Sequence, residues 1–308
     1  MAKDKKRREA LIYHAKPTPG KIKVVPTKKY ATQRDLSLAY SPGVAEPCLE
    51  IAKDVNNVYK YTSKGNLVAV ISNGTAVLGL GDIGPEASKP VMEGKALLFK
   101  IFADIDVFDI EVDTKNIDAF IDTVKNIAPT FGGINLEDIK SPECFIIESR
   151  LKEMCDIPVF HDDQHGTAII VSAAILNGLR VVEKEISKIK VVVAGAGAAA
   201  LACLDLLVKL GLNKANVTVC DVVGVVYEGR TELMDPWKSA WARKTKARVL
   251  AEVMPDADVF IGLSAPNVLS PEVLKTMAPR PLVFALANPT PEIMPEIAKA
   301  ARPDAIIA

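Results

Sequence analysis

Apolar residues in the first half of the chain recur alternately at strand-like and helical spacings. Residues 16–48 are rich in Pro and Gly and predict an extended arm that carries a YSPG turn. Asn73 and Gly74 favour the tight turn of a β-hairpin between two short strands. The spacing predicts helices over residues 47–55, 85–102, 116–127 and 142–154, and strands over residues 67–71, 77–80, 107–112, 134–136 and 157–160.

The second half of the chain shows the same alternation more regularly. Strands that alternate with helices indicate a mostly parallel sheet covered by helices on both faces. The pattern predicts an α/β protein, with an N-terminal α/β domain over residues 1–160 and a doubly wound parallel-sheet domain over residues 161–308. Strand-like runs in this half cover residues 189–194, 217–220, 259–263, 282–287 and 305–307.

Composition narrows the range of partners. Lys and Arg together number 38, as do Asp and Glu, so the balanced charge provides no global field for nucleic acid or an anionic membrane. No apolar run approaches the roughly 20 residues of a membrane-spanning helix, and the charged residues 1–10 lack the apolar stretch of a signal peptide. We therefore expect a cytoplasmic protein that acts on small molecules.

The cysteines follow no paired spacing, which favours buried thiols in a reducing compartment over disulfides or a metal site. They are Cys48, Cys144, Cys155, Cys203 and Cys220.

A glycine-rich turn begins the second half. The sequence GAGAAA at residues 195–200 follows the strand KIKVVV and opens a helix, so backbone N–H groups and the helix dipole can meet a pyrophosphate there. Asp221 ends the next strand, where a carboxylate can accept hydrogen bonds from a ribose. Strand, glycine turn, helix, strand and acid in this order predict a Rossmann-type dinucleotide-binding domain.

A second glycine pattern lies in the first half, at Gly79, Gly81 and Gly84. No acid follows it at the end of a neighbouring strand, so it is not the Rossmann fingerprint itself. Either its glycines allow the backbone to approach a phosphate, or they form an ordinary turn.

Two acidic pairs stand just past predicted strands. Glu137 and Asp138 follow the strand GINL, and Asp162 and Asp163 follow the strand IPVF. Ligands gather at the carboxyl ends of strands in open α/β sheets. Converging carboxylates repel one another unless a cation neutralises them, and all-oxygen ligands favour Mg²⁺ or Mn²⁺. The alternative is that these acids only cap the N–H groups of helices.

Four further side chains have possible chemical roles. Lys95 falls in the row Val91, Lys95, Leu98, Phe102, which we interpret as the apolar face of its helix; burial lowers the pKa of an amine toward that of a general base. The alternative is a lysine that extends from the core to water.

Tyr40 is the first residue of the YSPG turn. Either its phenol is exposed there for chemistry, or the side chain only anchors the turn by packing.

His161 and His165 have the spacing of a helical zinc pair, but the intervening acids and Gly166 argue against an uninterrupted helix there. Supporting or packing roles are favoured for both.

The motifs together resemble the malic enzymes, over residues 17–308. Those that carry the resemblance are ATQRDLSLAYSPGVAEPC, LGLGDIGPEASKPVMEGK, FGGINLEDI, VFHDDQHGTA, GAGAAA and FALANPTPE, in this order. The resemblance is strongest to the bacterial type that often has a phosphotransacetylase-like domain fused behind it, a domain that this sequence does not include. It implies an N-terminal substrate and catalytic domain before the NAD(P)-binding domain, and a homodimer or higher homo-oligomer.

The resemblance also implies an activity, the oxidative decarboxylation of malate to pyruvate and CO2 with reduction of NAD or NADP, dependent on Mg²⁺ or Mn²⁺. It assigns Lys95 as the base, Tyr40 as the acid and Asp162 to a supporting catalytic role. It assigns Glu137, Asp138 and Asp163 as metal ligands. Cofactor contacts are assigned to Gly79, Gly81, Asp82, Gly84, Gly195, Ala196, Gly197, Ala198, Ala199, Asp221 and Asn288.

Three departures from the family pattern alter these expectations. Ala76 stands where longer members have a substrate-binding arginine. Val222 and Val223 follow Asp221 with no adjacent cation for a 2′-phosphate, which leans the cofactor slightly toward NAD. The sequence ends at a predicted strand where the family continues into an Asn-containing segment, so we expect a C-terminally truncated chain.

Two other functions remain open on sequence grounds. One is a dinucleotide- and metal-binding fragment without turnover. The other is a metal-free amino-acid dehydrogenase, which can share the domain order and also use a lysine.

Overall fold

The computed structural model describes residues 2–77 and 79–308. The chain forms two compact units, each with its own parallel sheet. The first unit contains Met1–Thr75, Asp82–Glu137 and Ile147–Phe160, and the second contains Ala76–Gly81, Asp138–Ile146 and His161–Ala308.

Among the described residues, four α-helices precede the first strand, and from β1 to β4 the strands alternate with helices as the apolar pattern predicts. The helices are α1 (Ala2–Ala15), α2 (Gln33–Ala39), α3 (Ala45–Lys53), α4 (Val58–Tyr61), α5 (Pro85–Ala103), α6 (Ile117–Ile127) and α7 (Glu143–Met154). The strands are β1 (Leu67–Ser72), β2 (Asp106–Glu111), β3 (Gly133–Leu136) and β4 (Val159–His161).

The first sheet has the order β2-β1-β3-β4. Strand β1 lies in the middle and runs parallel to both β2 and β3. Its residues Ala69, Val70 and Ile71 are fully buried, because helices cover the sheet as they do in other α/β units. The sheet therefore places the carboxyl ends of β1 and β3 at the same edge.

The hairpin predicted at Asn73 and Gly74 is wrong. Gly74 has a φ of 66°, and its carbonyl accepts hydrogen bonds from the backbone N–H groups of Ile83 and Gly84. The turn thus leads the chain toward the start of α5, and β1 pairs with two parallel strands instead. Leu78, in the second predicted hairpin strand, lies outside the described residues, and Val77 forms only an isolated bridge with Gly81.

The predicted extended arm contains a helix, α2, which the Pro and Gly content conceals. Thr32 caps this helix by accepting a hydrogen bond from the N–H group of Asp35, whose carboxylate in turn accepts from the N–H group of Thr32. This capping box offsets the short length of the helix. Helix α3 also begins at Ala45, two residues before the predicted start.

The apolar row assigned to α5 is also wrong. The buried residues of this helix are Ser88, Met92 and Ala96, which recur every four positions. Phe102 is 81 % exposed, so the face that carries it does not pack on the sheet of this unit. Lys95 lies beside the buried row rather than at its centre.

The second unit begins its regular fold with a long helix. Its helices are α8 (Asp162–Val182), α9 (Ala198–Lys209), α10 (Pro236–Ser239), α11 (Leu250–Val253), α12 (Pro271–Lys275) and α13 (Pro295–Ala301). Its strands are β5 (Val191–Ala194), β6 (Val217–Asp221), β7 (Gly224–Val225), β8 (Val259–Gly262), β9 (Leu282–Ala285) and β10 (Ile306–Ile307).

The second sheet has the order β10-β9-β8-β5-β6-β7, parallel except for the short pair β6 and β7. Along β5, Val191 and Val193 belong to one apolar cluster, and Val192 and Ala194 belong to another on the opposite face. Successive strand residues point to opposite faces, so helices cover both faces. The doubly wound Rossmann-type fold predicted from the sequence is confirmed.

Helix α8 runs without interruption through Asp162, Asp163 and Gly166, contrary to the sequence expectation. Carboxylates are favoured in the first turn of a helix, where the backbone N–H groups are unpaired. A Cβ added at Gly166 would overlap with the Asp162 carboxylate, so glycine makes room for that side chain. By length and composition alone α8 could cross a membrane, but its buried face packs in the core of the second unit.

Candidate active site

Three carboxylates meet just past the ends of β3 and β4. Oxygen atoms of Glu137, Asp138 and Asp163 lie within 4.8 Å of one another, and Glu137 and Asp138 are 5 % and 3 % exposed. Like charges this close repel one another strongly away from water. An all-oxygen set of hard donors suits Mg²⁺ or Mn²⁺. The donor set therefore fits a divalent cation, and the assignment of these three acids as its ligands stays a prediction.

Asp138 is held in an unusual backbone conformation. Its φ is 54°, a left-handed value that Asp and Asn tolerate better than most residues. Its N–H group donates to the Asp163 carboxylate at 2.8 Å, and its carbonyl accepts from the N–H group of Ala76 at 3.0 Å. The backbone turn that follows β3 is thereby fixed at both ends.

Lys95 approaches the same acids from within the first unit. Its Nζ atom lies 3.0 Å from Oε1 of Glu137, and Nδ2 of Asn135 donates to Oε2 of Glu137 at 2.9 Å. The Lys95 side chain is 21 % exposed, so this ion pair is largely shielded from water. The amine is therefore in contact with one of the three clustered carboxylates.

The glycine-rich turn after β5 has the geometry of a phosphate-binding loop. Gly195 has a φ of 115°, and a Cβ there would overlap with the Leu263 carbonyl oxygen. Gly197 is the N-cap of α9, whose first turn contains Ala198 and Ala199. The unpaired N–H groups at this helix start, with its dipole, form a site for an anion.

A cavity of about 400 Å³ in the second unit extends from Asp138 and Asp163 to this turn. Asp138 and Asp163 line it together with Gly197 and the start of α9. A dinucleotide phosphate at the helix start and a cation at the acids would therefore share one space. The remaining lining residues are Ala76, Gly79, Ile139, Lys140, Ser141, Leu263, Ser264, Leu286, Ala287 and Asn288.

Asn288 and Gly79, both assigned as cofactor contacts, meet at the edge of this cavity. A Cβ added at Gly79 would overlap with the backbone carbonyl oxygen of Asn288. Only glycine allows the two backbones to approach so closely. This close approach explains Gly79, and Ala76 lines the same cavity.

The other two glycines of that pattern have a different setting. Gly81 has a φ of 78° and Gly84 a φ of 86°, and a Cβ at either would meet no heavy atom within 4 Å. Their positive φ values suit the turn that leads into α5. Asp82, between them, forms an ion pair with Lys115 at 2.7 Å. The cofactor roles of Gly81, Asp82 and Gly84 stay predictions.

Asp221 forms ion pairs with two basic residues, although no basic residue is next to it in the sequence. The Arg230 guanidinium donates to both of its oxygens, and the Lys238 ammonium donates to Oδ2 at 2.9 Å. Although burial alone raises it, the pKa of Asp221 falls below its ordinary value because of these hydrogen bonds. Two cations and one carboxylate leave a net charge of +1 where a ribose is expected.

Neither cation follows from the sequence pattern. Arg230 lies nine residues after Asp221 in irregular chain, and Lys238 lies seventeen residues after it in the one-turn helix α10. Both residues are buried, at 7 % and 9 % exposure. A basic residue that is buried requires a partner, but the sequence does not show that these two residues are buried.

Tyr40 and Asp162 have different environments. Tyr40 is 77 % exposed, and its backbone N–H group caps the end of α2 by donating to Leu36. Asp162 packs along the first turn of α8 against Gly166. The structure thus presents the Tyr40 phenol to solvent, and the catalytic roles of both residues stay predictions.

The two histidines do not both lie within a helix. His161 is fully buried at the N-cap of α8, and its Nε2 atom lies 3.9 Å from the Asp163 carboxylate. His165 lies inside the helix. The position of His161 next to Asp163 favours a supporting role, as the sequence indicates.

The cysteine prediction is confirmed for three thiols. Cys144, Cys203 and Cys220 are buried, and burial raises the pKa of Cys203 and Cys220 to about 12. The thiols of Cys203 and Cys220 are therefore unreactive at neutral pH. Cys48 is exposed, contrary to the prediction.

Comparison with known proteins identifies relatives for both units. The family profile "Malic enzyme, N-terminal domain" matches residues 19–116 and 114–152, and "Malic enzyme, NAD binding domain" matches residues 164–308. The resemblance inferred from the motifs is confirmed.

Among curated proteins, the NAD-dependent malic enzyme of Rhizobium meliloti is 62 % identical over 97 % of this chain and 39 % of its own length. The NADP-dependent malic enzyme of Escherichia coli is 64 % identical over 99 % of this chain and 40 % of its own length. The chain thus spans about two fifths of these relatives.

Among solved structures, the malic enzyme of Pyrococcus horikoshii Ot3 superposes with a TM-score of 0.89. It is 49 % identical over 96 % of this chain and 71 % of its own chain. The similarity in structure therefore extends over both units.

Proposed function

Because this chain belongs to the malic enzyme family, we propose that it oxidises and decarboxylates malate to pyruvate and CO2 while it reduces NAD or NADP. The observation that carries this proposal is the cavity lined by both Asp138 and Asp163 and the start of α9. Substrate oxidation requires a hydride donor, a cofactor and a charge-stabilising group in one space. Family membership favours malate over the amino-acid substrate that the sequence left open.

The residues of the site divide the chemistry between them. Glu137, Asp138 and Asp163 hold Mg²⁺ or Mn²⁺, which when bound supplies Lewis-acid polarisation of substrate oxygens. Lys95, in its neutral amine form, would accept the proton of the malate 2-hydroxyl, and NAD or NADP, when bound, would supply the acceptor for the hydride of the 2-carbon. Tyr40 then donates a proton to carbon 3 after CO2 has left. The N–H groups of Gly197 and the α9 start orient the cofactor by its phosphates.

The test of this function uses the purified chain with malate, Mn²⁺ and either NAD or NADP. We expect malate-dependent formation of reduced nicotinamide, which stops when a chelator removes the metal. Dinucleotide and Mn²⁺ binding without turnover would instead support the alternative of a binding module. Turnover of an amino acid that survives the chelator would contradict the proposal.

The triad of Asp221, Arg230 and Lys238 weakens the reason for preferring NAD over NADP as the cofactor. That lean rested on the lack of a cation beside Asp221, and two buried cations contact its carboxylate. A net positive site attracts a 2′-phosphate rather than repelling it. We propose that the chain accepts NADP as well as NAD.

The Lys238→Gln variant tests this cofactor proposal. Removing one of two cations takes the triad from a net charge of +1 to 0. We expect kcat/KM for NADP to fall about tenfold more than kcat/KM for NAD, the size of one lost charge-assisted hydrogen bond. Lys246→Gln, at an exposed position of the same segment, is the matched control. Equal losses for the two cofactors would show that Lys238 does not contact the 2′ position.

A homodimer is the assembly that we propose. Large apolar side chains are exposed on the first unit, among them Phe102 at 81 % and Tyr40 at 77 %. Contact with a second copy of the chain would remove such side chains from water. We expect light scattering to give twice the chain mass, and the Phe102→Asp variant to shift that mass toward the monomer. The control is Phe108→Asp, at a less exposed position on β2.

A further inference from the structure

Glu292 is a fully buried acid in the loop between β9 and α13. Its exposure is 0 %, although glutamate is almost never completely buried without hydrogen-bonding partners. It ends the segment ANPTPE, four residues after Asn288. Neither the sequence pattern nor the proposed chemistry assigns it a role.

Its carboxylate accepts hydrogen bonds from two separate loops. Oε1 accepts from the backbone N–H group of Ser264 at 2.8 Å and from its hydroxyl at 3.1 Å. Oε2 accepts from the backbone N–H group of Ala287 at 3.0 Å. Ser264 follows β8 and Ala287 follows β9, so one side chain joins the loops after two adjacent strands.

The end of β8 is shaped to admit this carboxylate. A Cβ added at Gly262 would overlap with Cδ of Glu292. Gly262 pairs with Ala285 in the parallel ladder of β8 and β9, so it cannot move aside without breaking strand pairing. The glycine thus lets the acid lie directly against the strand end.

Both loops line the cavity that holds the candidate site. Ser264, Ala287 and Asn288 all border the space shared with Asp163 and Gly197. The hydrogen bond to Ala287 fixes the residue immediately before Asn288. The position of Asn288 is therefore tied to that of Ser264 through the Glu292 carboxylate.

We propose that Glu292 is a positioning residue that aligns the loops after β8 and β9, so that Ser264 and Asn288 face the bound dinucleotide. The role in dinucleotide binding rests on the function proposed above. The linkage of the two loops rests only on the hydrogen bonds of Glu292 to Ser264 and Ala287. It goes beyond a packing role, because a group that only fills space would not require three donors from two loops.

The Glu292→Gln variant tests the proposal with nearly unchanged volume. An amide offers one acceptor oxygen, and its NH₂ group must face either the Ser264 or the Ala287 N–H group, so one loop loses its tie. We expect Kd for NAD and NADP, and the corresponding KM, to rise about tenfold or more, with a smaller change in kcat at saturating cofactor. Glu296→Gln, at an exposed site in the first turn of α13, is the control.

A second measurement does not depend on turnover or on cofactor binding. Hydrogen exchange at the amides of Ser264 and Ala287 is expected to be faster in Glu292→Gln than in the unaltered chain, with exchange in β5 unchanged. Unchanged exchange at both amides overturns the proposal, whatever the enzyme assay shows. A lower melting temperature with unaltered Kd also overturns it, because that result indicates stability alone.

The Gly262→Ala variant displaces the same carboxylate from the other side. If Glu292 acts through its position, the double variant Gly262→Ala/Glu292→Gln raises Kd by less than the product of the two single effects. Fully multiplicative effects contradict the proposed linkage. If the unaltered chain fails to bind dinucleotide, the proposed function fails, and hydrogen exchange alone decides the role of Glu292.

Discussion

The Asp138→Asn variant is expected to lose malate oxidation and to bind Mn²⁺ more than about 100-fold more weakly, beyond the usual cost of losing an outer partner of a metal site. Asp138 is 3 % exposed and shares a 4.8 Å cluster with Glu137 and Asp163. The amide removes one negative charge and one anionic ligand from the set. Isothermal titration with Mn²⁺ measures the affinity without any need for turnover.

Asn is chosen to replace Asp138 because it can keep the left-handed backbone conformation of this residue. Asp138 has a φ of 54°, and Asn tolerates left-handed values as Asp does, so the turn after β3 is preserved. Alanine would add backbone strain to the loss of charge. In the metal-free state, Asn also relieves repulsion among the clustered carboxylates, so the melting temperature is not expected to fall.

The metal-induced rise in melting temperature separates this expectation from a folding defect. The unaltered chain gains stability from any ligand that binds only the folded state, and Asp138→Asn is expected to lose most of that gain. Asp122→Asn, at an exposed position on α6, is the control. An Asp138→Asn variant that keeps both Mn²⁺ affinity and turnover would show that the acids do not form the metal site.

The features that sequence predicts well are local ones. The turn at Gly195 is predicted from a strand, a glycine pair and a helix start that are contiguous, and the doubly wound fold of the second unit is predicted from its alternating strands and helices. The sequence predicts that Glu137, Asp138 and Asp163 lie together because each acidic pair follows the end of a predicted strand. Strand ends at one sheet edge converge whatever the details of the loops.

The errors arise where tertiary contacts override local preference. Asn73-Gly74 has the composition of a hairpin turn. The Gly74 carbonyl instead accepts hydrogen bonds from the N–H groups of Ile83 and Gly84, just before α5, and β1 pairs with two parallel strands. Gly166 normally weakens a helix, yet here it accommodates the Asp162 side chain. Such compensation depends on one specific neighbour, which periodicity does not encode.

The residues that sequence does not identify share a different cause. Arg230 and Glu292 lie in irregular segments and Lys238 in the one-turn helix α10, and each contacts a partner from another part of the chain. A charged residue in a loop is ordinarily expected at the surface. Only the three-dimensional arrangement shows that these three are buried and paired.

The Lys95→Ala variant is expected to lower kcat by about 10²- to 10⁴-fold, the range associated with loss of a general base. Lys95 is the amine in contact with the acid cluster, 3.0 Å from Glu137. The affinity for NAD and NADP is expected to remain unchanged, because Lys95 does not belong to the glycine-rich turn at Gly195 that is proposed to bind the cofactor phosphates. Steady-state assays and dinucleotide titration measure the two effects separately.

Lys100→Met provides the control on the same helix. Lys100 also pairs with acids, Asp104 and Asp106, but all three side chains are more than half exposed. Exposed ion pairs contribute little to stability or shape. Loss of activity in this control would show that α5 tolerates no lysine substitution, and the result for Lys95 would then carry no chemical meaning.

Small primary amines distinguish proton transfer from a structural effect. Alanine leaves a space beside Glu137 that an added alkylamine can enter, and the partial exposure of Lys95 gives it a path. We expect added amine to restore part of kcat in Lys95→Ala and to leave the Lys100→Met rate unchanged. Failure of every amine to restore turnover, in a variant that still binds dinucleotide and Mn²⁺, would contradict the base role.

The stability of the variant offers an independent check. Without Lys95, the buried Glu137 carboxylate loses the positive charge of that amine, while Asn135 still donates a hydrogen bond to its Oε2 atom. Breaking a buried ion pair costs about 3 kcal/mol or more, and here the partial exposure of Lys95 reduces that cost. The double variant Lys95→Ala/Glu137→Gln is therefore expected to melt at a higher temperature than Lys95→Ala alone. A lower melting temperature in the double variant would mean that Glu137 is stabilised mainly by partners other than Lys95.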